Sequence, residues 1–299
     1  MGFFTRKKKA GLYLSDRAPL TTAGIIGLAI TYLILIAWSF VIIWPIVQIC
    51  ISAFNGAQSN YLILNREFSF SLKNFDYLFK KTYFLNWMWN TVYIGIATAV
   101  MTILFVSFTG YAYSRFRFKY KKESLLAILL IQVIPAFAGI SAYFTMHQII
   151  NSVIPVFNRQ MMLILIYSAG GIAGNTLILK GYIDSISPEL DEAARIDGCS
   201  NMQVYRMIIM PVVRPMLAII ALWSFIAPFT DFMLPKIILN APQDYTLATG
   251  LQTLIVDTRT MNQPAFVAGG LITALPIVIL FIALQKQLVS GLSSGSVKG

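Results

Sequence analysis

Five of the chain's twelve carboxylates (Asp184, Glu189, Asp191, Glu192 and Asp197) crowd into the first half of one stretch, DSISPELDEAARIDGCSNMQVYRMIIMP (184–211). The apolar runs on either side have almost none. Acids so spaced can shape helix ends and make charged contacts. Ser187-Pro188 predicts a helix start, with a hydroxyl at the N-cap and proline where its missing N–H costs nothing. Glu189, Asp191 and Glu192 then fall in the first turns, where the helix dipole favours negative charge. Leu190, Ala193, Ala194 and Ile196 give a small, partly apolar face, flanked by Arg195 and Asp197. Gly198 stands where a left-handed residue would end the helix. Ser200-Asn201-Met202-Gln203 fits a capping box. It predicts a second short helix to about Met210, with Val204, Tyr205, Ile208 and Ile209 at helical spacing. Pro211 and Pro215 are expected to mark the start of the next long helix.

A solvated connector would also join two greasy segments. Ordering backbone costs ~1–2 kcal/mol per residue, however, and a connector has no need of two capped helices. An alanine pair lets another surface approach closely. The stretch therefore reads as a docking knob.

The chemistry that is missing narrows the classes. One histidine, His147, rules out a two-His metal cluster and leaves little room for a Ser-His-Asp site. No G-x-x-x-x-G-K-[ST] occurs, and the tail GSVKG lacks its spacing and preceding strand. The chain is expected to bind no metal and no cofactor and to hydrolyse no ATP itself. Cys50 and Cys199 lie far apart, so no disulfide framework is expected.

The 299 residues that carry the knob are 57% hydrophobic and only 12% charged. Mean hydropathy is +0.71. A soluble domain carries about 25% charged residues, so lipid is the main solvent here. A span needs about 20 apolar residues. The charge-free runs predict an all-α polytopic membrane protein with six helices, at about 24–50, 86–112, 124–147, 161–180, 213–238 and 265–286. The first is too long for a removable signal peptide.

Sixteen of the 23 Lys and Arg residues fall on one side: the N-terminal segment, the 115–122 connection, the 180–214 loop and the C-terminal tail. The positive-inside rule then places both termini and the acidic loop in the cytoplasm. The basic clusters are short and juxtamembrane, which suits lipid contact and not nucleic acid. The chain divides into a cytoplasmic segment (1–22), a first span with its outer loop (23–84), a core of spans (85–288) holding the 184–211 loop, and a tail (289–299).

Glu192-Ala193-Ala194, three residues, Gly198, nine residues, Ile208, one residue, then Met210-Pro211 resembles the EAA motif of bacterial importer permeases of the ATP-binding-cassette (ABC) superfamily. Met210 replaces the usual leucine. ISPELDEAARIDG looks like the carbohydrate form. NAPQDYTLATGLQTLI (240–255) and the end from Ala274 are similar to six-span maltose-type permeases. The resemblance covers about 85–299, and the first 84 residues match in pattern only.

The resemblance implies a type I importer fold in the bacterial cytoplasmic membrane, with sugar as cargo and maltose or maltodextrin favoured. It implies a paralogous permease, two ABC ATPase subunits that carry ATP and Mg, and an extracytoplasmic sugar-binding protein. Glu192, Ala193, Ala194, Arg195, Asp197, Gly198, Ile208 and Pro211 would couple to the ATPase. The tail, Gly295, Ser296, Val297, Lys298 and Gly299, would reach toward the ATPases, although glycine and serine also favour simple disorder. The 240–262 loop would meet the binding protein.

Pathway candidates are Gly170, Gly171, Asn175 and Asp231. Gly170 and Gly174 have G-x-x-x-G spacing, for which close helix packing is the plainer explanation. Asp231 within an apolar stretch suggests a cavity or a partner, or ordinary solvation near the outer surface. The outer-loop aromatics Tyr61, Phe68, Phe70, Phe75, Tyr77 and Phe79 suit interfacial anchoring better than sugar stacking. The rival class is a self-sufficient secondary carrier or channel, which would need intramembrane ion sites; Asp231 alone qualifies, and the motif spacing would be coincidence.

Overall fold

The computed structural model describes residues 22–57, 68–134, 136–257 and 261–295. Among these the structure is helical apart from one isolated bridge between Asn55 and Phe70. The chain divides into two units, at Ile51 and Ser52. The first holds all but the last two residues of the helix α1 (Thr22–Ala53), which is apolar on all sides as a lipid-embedded helix must be.

The second unit is organised on α3 (Phe84–Arg115), which packs along both α6 (Arg159–Asp184) and α9 (Met210–Thr230). Small residues let the backbones close up. A side chain at Gly95 would lie 2.9 Å from the Phe225 carbonyl oxygen, and one at Gly110 would lie 3.0 Å from Leu179. Hydroxyls tie the same helices across their seams: Thr109 to Thr176 at 2.7 Å and Ser107 to Tyr205 at 2.8 Å. The short helix α2 (Lys73–Lys81) closes the segment after α1, where the Asn74 amide donates to the carbonyls of Ala53 and Asn55. The rings of Phe54, Phe70 and Phe75 pack together there, so these aromatics serve the local fold. Tyr61 lies outside the described residues.

Among the described residues, five helical stretches are long and apolar enough to cross a membrane: Gly24–Ala53, Phe84–Arg115, Arg159–Asp184, Asn201–Thr230 and Gln263–Gln287. The single helix expected over 124–147 is instead two, α4 (Lys121–Val133) and α5 (Ile140–Val153), joined through a 3₁₀ turn at Ala136–Gly139. Proline 135 is the reason. The residue before a proline is pushed out of helical geometry, and Ile134 is extended at φ −75°, ψ 120°.

The helix expected over 213–238 is also corrected. It starts earlier and ends at Thr230, and a separate α10 (Met233–Ile238) follows. Pro235 in a continuing helix would clash with the Asp231 carbonyl, and Asp231 caps α10 instead. Nor does the second short helix stop near Met210. From α8 (Asn201–Gln203) the chain runs through a π-helical turn (Val204–Ile209) straight into α9. There the Met210 N–H reaches the Tyr205 carbonyl, five residues back. Pro211 has no N–H to offer, and the wider turn ahead of it takes up the change of register. Two helices complete the unit: α11 (Leu247–Val256) and α12 (Gln263–Gly295).

Candidate functional site

The acidic stretch forms helix, turn and helix. The Ser187 hydroxyl accepts the Glu189 N–H at 3.3 Å, and α7 (Glu189–Ile196) follows. Gly198 has φ +85°, the left-handed conformation expected of it. Its N–H bonds the Arg195 carbonyl at 3.0 Å, and the Cys199 N–H bonds the Ala194 carbonyl at 2.9 Å. This double closure is the Schellman arrangement. Ser200 then caps α8 reciprocally: Gln203 N–H to Ser200 Oγ at 3.4 Å, Ser200 N–H to Gln203 Oε1 at 2.7 Å.

The motif residues divide between two faces. Ala194 is buried with Val204, Tyr205 and Ile209 against Leu179 and Ile183. Glu192, Ala193, Arg195, Asp197, Gly198 and Pro211 are exposed, and Ile208 is half-buried. Of the apolar face expected on α7, Leu190 and Ile196 point outward, 48% and 87% exposed.

Sequence reasoning missed what holds the knob. Asp191 turns inward, and its Oδ2 accepts from Arg115 Nε at 2.6 Å. Side-chain exposures of 8% for Arg115 and 4% for Asp191 make this a buried ion pair. Arg115 also donates to the Ile186 carbonyl at 3.0 Å. Beside it, Ser114 donates to Asp184 Oδ1 at 2.6 Å, and Lys180 to Asp184 Oδ2 at 2.5 Å. A run of acids marks the knob, but nothing in the sequence says which acid turns inward.

The pathway candidates are scattered. Gly171, rather than Gly170 or Gly174, meets α3: a side chain there would lie 3.2 Å from Thr102 Oγ1. Gly174 faces Gln132 of α4, while Gly170 has open space and borders a cavity of about 630 Å³. That cavity lies between the α4–α5 break and α6, beside Gln132, Tyr143 and Ala173. The Asn175 amide bonds back to the Gly171 carbonyl at 2.8 Å within α6.

Asp231 accepts the Met233 and Leu234 N–H groups, at 2.8 and 3.3 Å, and the Tyr167 hydroxyl at 3.0 Å. It therefore holds the α9–α10 corner to α6. Asp231→Ala should lower the thermal midpoint of the purified assembly, since a lost cap costs about 1 kcal/mol and an orphaned hydroxyl about 1–3 kcal/mol. Asp231→Asn, which keeps an acceptor, should recover most of it. An unchanged midpoint in the alanine variant would remove this role. Gly295 ends α12, and Ser296, Val297, Lys298 and Gly299 lie outside the described residues.

Among the described residues, membrane-length helices carry between α6 and α9 a short, charged helix–turn–helix, which is the arrangement of a membrane-embedded protein with one ordered polar connection. Residues 105–294 match the family described as binding-protein-dependent transport system inner membrane component, and the chain belongs to it. It is a multi-pass inner-membrane protein.

The chain is 40% identical to the maltodextrin transport system permease protein MdxG of Bacillus subtilis (strain 168), over 93% of this chain and 99% of that protein. It is 37% identical to the galactooligosaccharides transport system permease protein GanQ of the same organism, over 92% and 96%. Among solved structures, a chain of a bacterial ABC transporter involved in import of the acidic polysaccharide alginate superposes with a TM-score of 0.74. The match covers 90% of this chain and 99% of that one, at 18% identity, and shows the shared fold.

Proposed function

We propose that this chain is a permease subunit of an ATP-driven importer that brings a sugar or oligosaccharide, a maltodextrin by preference, into the cytoplasm. The relatives named for maltodextrin and galactooligosaccharide transport support the carbohydrate class. In this reading it works beside a paralogous permease, two ABC ATPase subunits holding ATP and Mg, and an external binding protein that delivers the sugar. The broken pair α4–α5 supplies the sixth crossing.

The observation that carries the coupling role is the outward face of α7. Leu190 and Ile196 stand in the open beside Glu192 and Arg195 on a helix of eight residues. Apolar surface is worth about 25 cal/mol per Å² when covered, so a partner that closed over these two side chains would gain from burying them. Ala193 keeps the surface low enough for a groove to close on it. The ATPase pair, closing on ATP, moves this knob, and the helices that continue from it change tilt.

The test is reconstitution. The chain, its paralogue and the ATPase go into vesicles with ATP inside and the binding protein and labelled sugar outside. Accumulation of maltodextrin that needs all four components is expected. Galactooligosaccharide in its place would reassign the cargo. Concentrative uptake by this chain alone, without ATP, would overturn the reading.

A further inference from the structure

The last turn of α3 touches every part of the knob. Tyr111, Ser114 and Arg115 stand at i, i+3 and i+4, one face of the helix. The Tyr111 hydroxyl donates to the Asn201 carbonyl at the start of α8, at 3.4 Å. Ser114 holds Asp184 at the end of α6. Arg115 grips α7 through Asp191 and, just ahead of it, the carbonyl of Ile186. The two charged partners are 76 positions apart, so no local rule of helix or turn brings them together.

We infer that the Arg115–Asp191 pair is the joint that locks α7 to α3. A displacement of the knob is then delivered sideways into α3 as well as along the chain; this rests on the importer reading above. Apolar contacts between α7 and its neighbours can slide. The guanidinium instead holds two acceptors at once, Asp191 through Nε and the Ile186 carbonyl through its second prong, and a planar group fixed at two points sets both direction and distance. Water is excluded from both side chains, so the pair cannot open and rehydrate cheaply. The other carboxylate oxygen of Asp191 is buried and takes no hydrogen bond, so within the described residues the ion pair of this carboxylate is the one with Arg115. Because α3 packs along α6 and α9, what reaches its end is shared by both. Arg115 and Asp191 are on this account positioning residues, acting through the helices they join.

Removing one partner would orphan a buried charge, so the informative variant removes both. Arg115→Met combined with Asp191→Leu replaces the pair by apolar groups of similar size. In the full reconstituted complex this variant should assemble with a thermal midpoint close to wild type. The ATP consumed per sugar imported should rise about two- to thirty-fold, the range spanned by perturbing packed coupling networks. A wild-type ratio would overturn the joint and leave the pair a purely stabilising one.

Arg115→Lys gives a second test should the double variant fail to assemble. It keeps the charge and loses the fork, and should raise the ratio less. An unchanged ratio in the lysine variant would likewise overturn the inference. A wild-type complex that imports no sugar would remove the importer reading itself, which separates the two failures.

Discussion

Gly198→Asp should leave the ATPase subunits bound and cut sugar uptake on the order of ten-fold or more, the equivalent of about 1.4 kcal/mol. Two effects act together. Gly198 has φ +85°, and a side chain in the left-handed region costs about 1–2 kcal/mol. The paired hydrogen bonds that close α7 would loosen, and with them the angle between α7 and α8. The second effect is external. A Cβ added at Gly198 meets nothing within 4 Å among the described residues. Any penalty beyond the strain therefore comes from whatever approaches from outside, where Glu192 and Asp197 already place negative charge.

Substitution by residue type separates the two. Gly198→Asn tolerates the left-handed conformation best and should retain most uptake if strain dominates. Gly198→Ala carries the strain with almost no bulk. Measuring uptake and ATPase co-purification across the three variants gives the answer. Wild-type uptake in the aspartate variant, with the ATPase assembled, would end the docking role of this turn.

Gly250→Ala should be the most damaging glycine-to-alanine change among the described residues. An added carbon would sit 2.2 Å from Cδ2 of Trp87, with Cε3 and Cε2 at 2.5 and 2.6 Å. The indole cannot step aside. Trp87 is 3% exposed, and its Nε1 donates to the Pro242 carbonyl at 2.7 Å. Nor can α11 withdraw, since the Leu247 N–H is held by Thr91 Oγ1 at 2.7 Å and Leu251 is buried beside it.

Overpacking of this kind costs about 1–3 kcal/mol, and loss of the indole hydrogen bond adds about 0.5–1.5 kcal/mol. The thermal midpoint of the detergent-solubilised complex and the yield of folded subunit should both fall. Adding Trp87→Leu should recover part of the loss, a non-additivity expected of side chains in contact. A variant of full stability would mean that α11 does not lie against α3 as described.

What could be read in advance follows a physical division. Charge-free length announced the membrane helices because nothing else needs such runs. Gly198 and the Ser200–Gln203 box were readable because caps are local chemistry between residues no more than five apart. Proline 135 was equally local, and its effect on Ile134 is what divides the expected 124–147 helix. The π turn before Pro211 was not readable, since it depends on how Val204, Tyr205 and Ile209 seat against the core. Asp231 was read from its depth in an apolar stretch, but its role is set by Pro235 and Tyr167. The grip of Arg115 on Asp191 needed the fold, because each alone is an ordinary charge near a helix end. Gly171 was a pathway candidate, but its place against Thr102 of α3 was hidden by the more regular spacing of Gly170 and Gly174.

The uninterrupted passage from Ser200 through the π turn into α9 makes the capped turn a tiller. Thirty helical residues, Asn201–Thr230, form one shaft, about 45 Å long at 1.5 Å per residue. A swing of about 5° at the capped end, with the shaft rigid, carries the far end roughly 4 Å sideways by the same geometry. That far end is Asp231, which holds the hydroxyl of Tyr167 and the first turn of α10. On the importer reading proposed above, a small turn at the capped end thus becomes a displacement wider than a water molecule at the other.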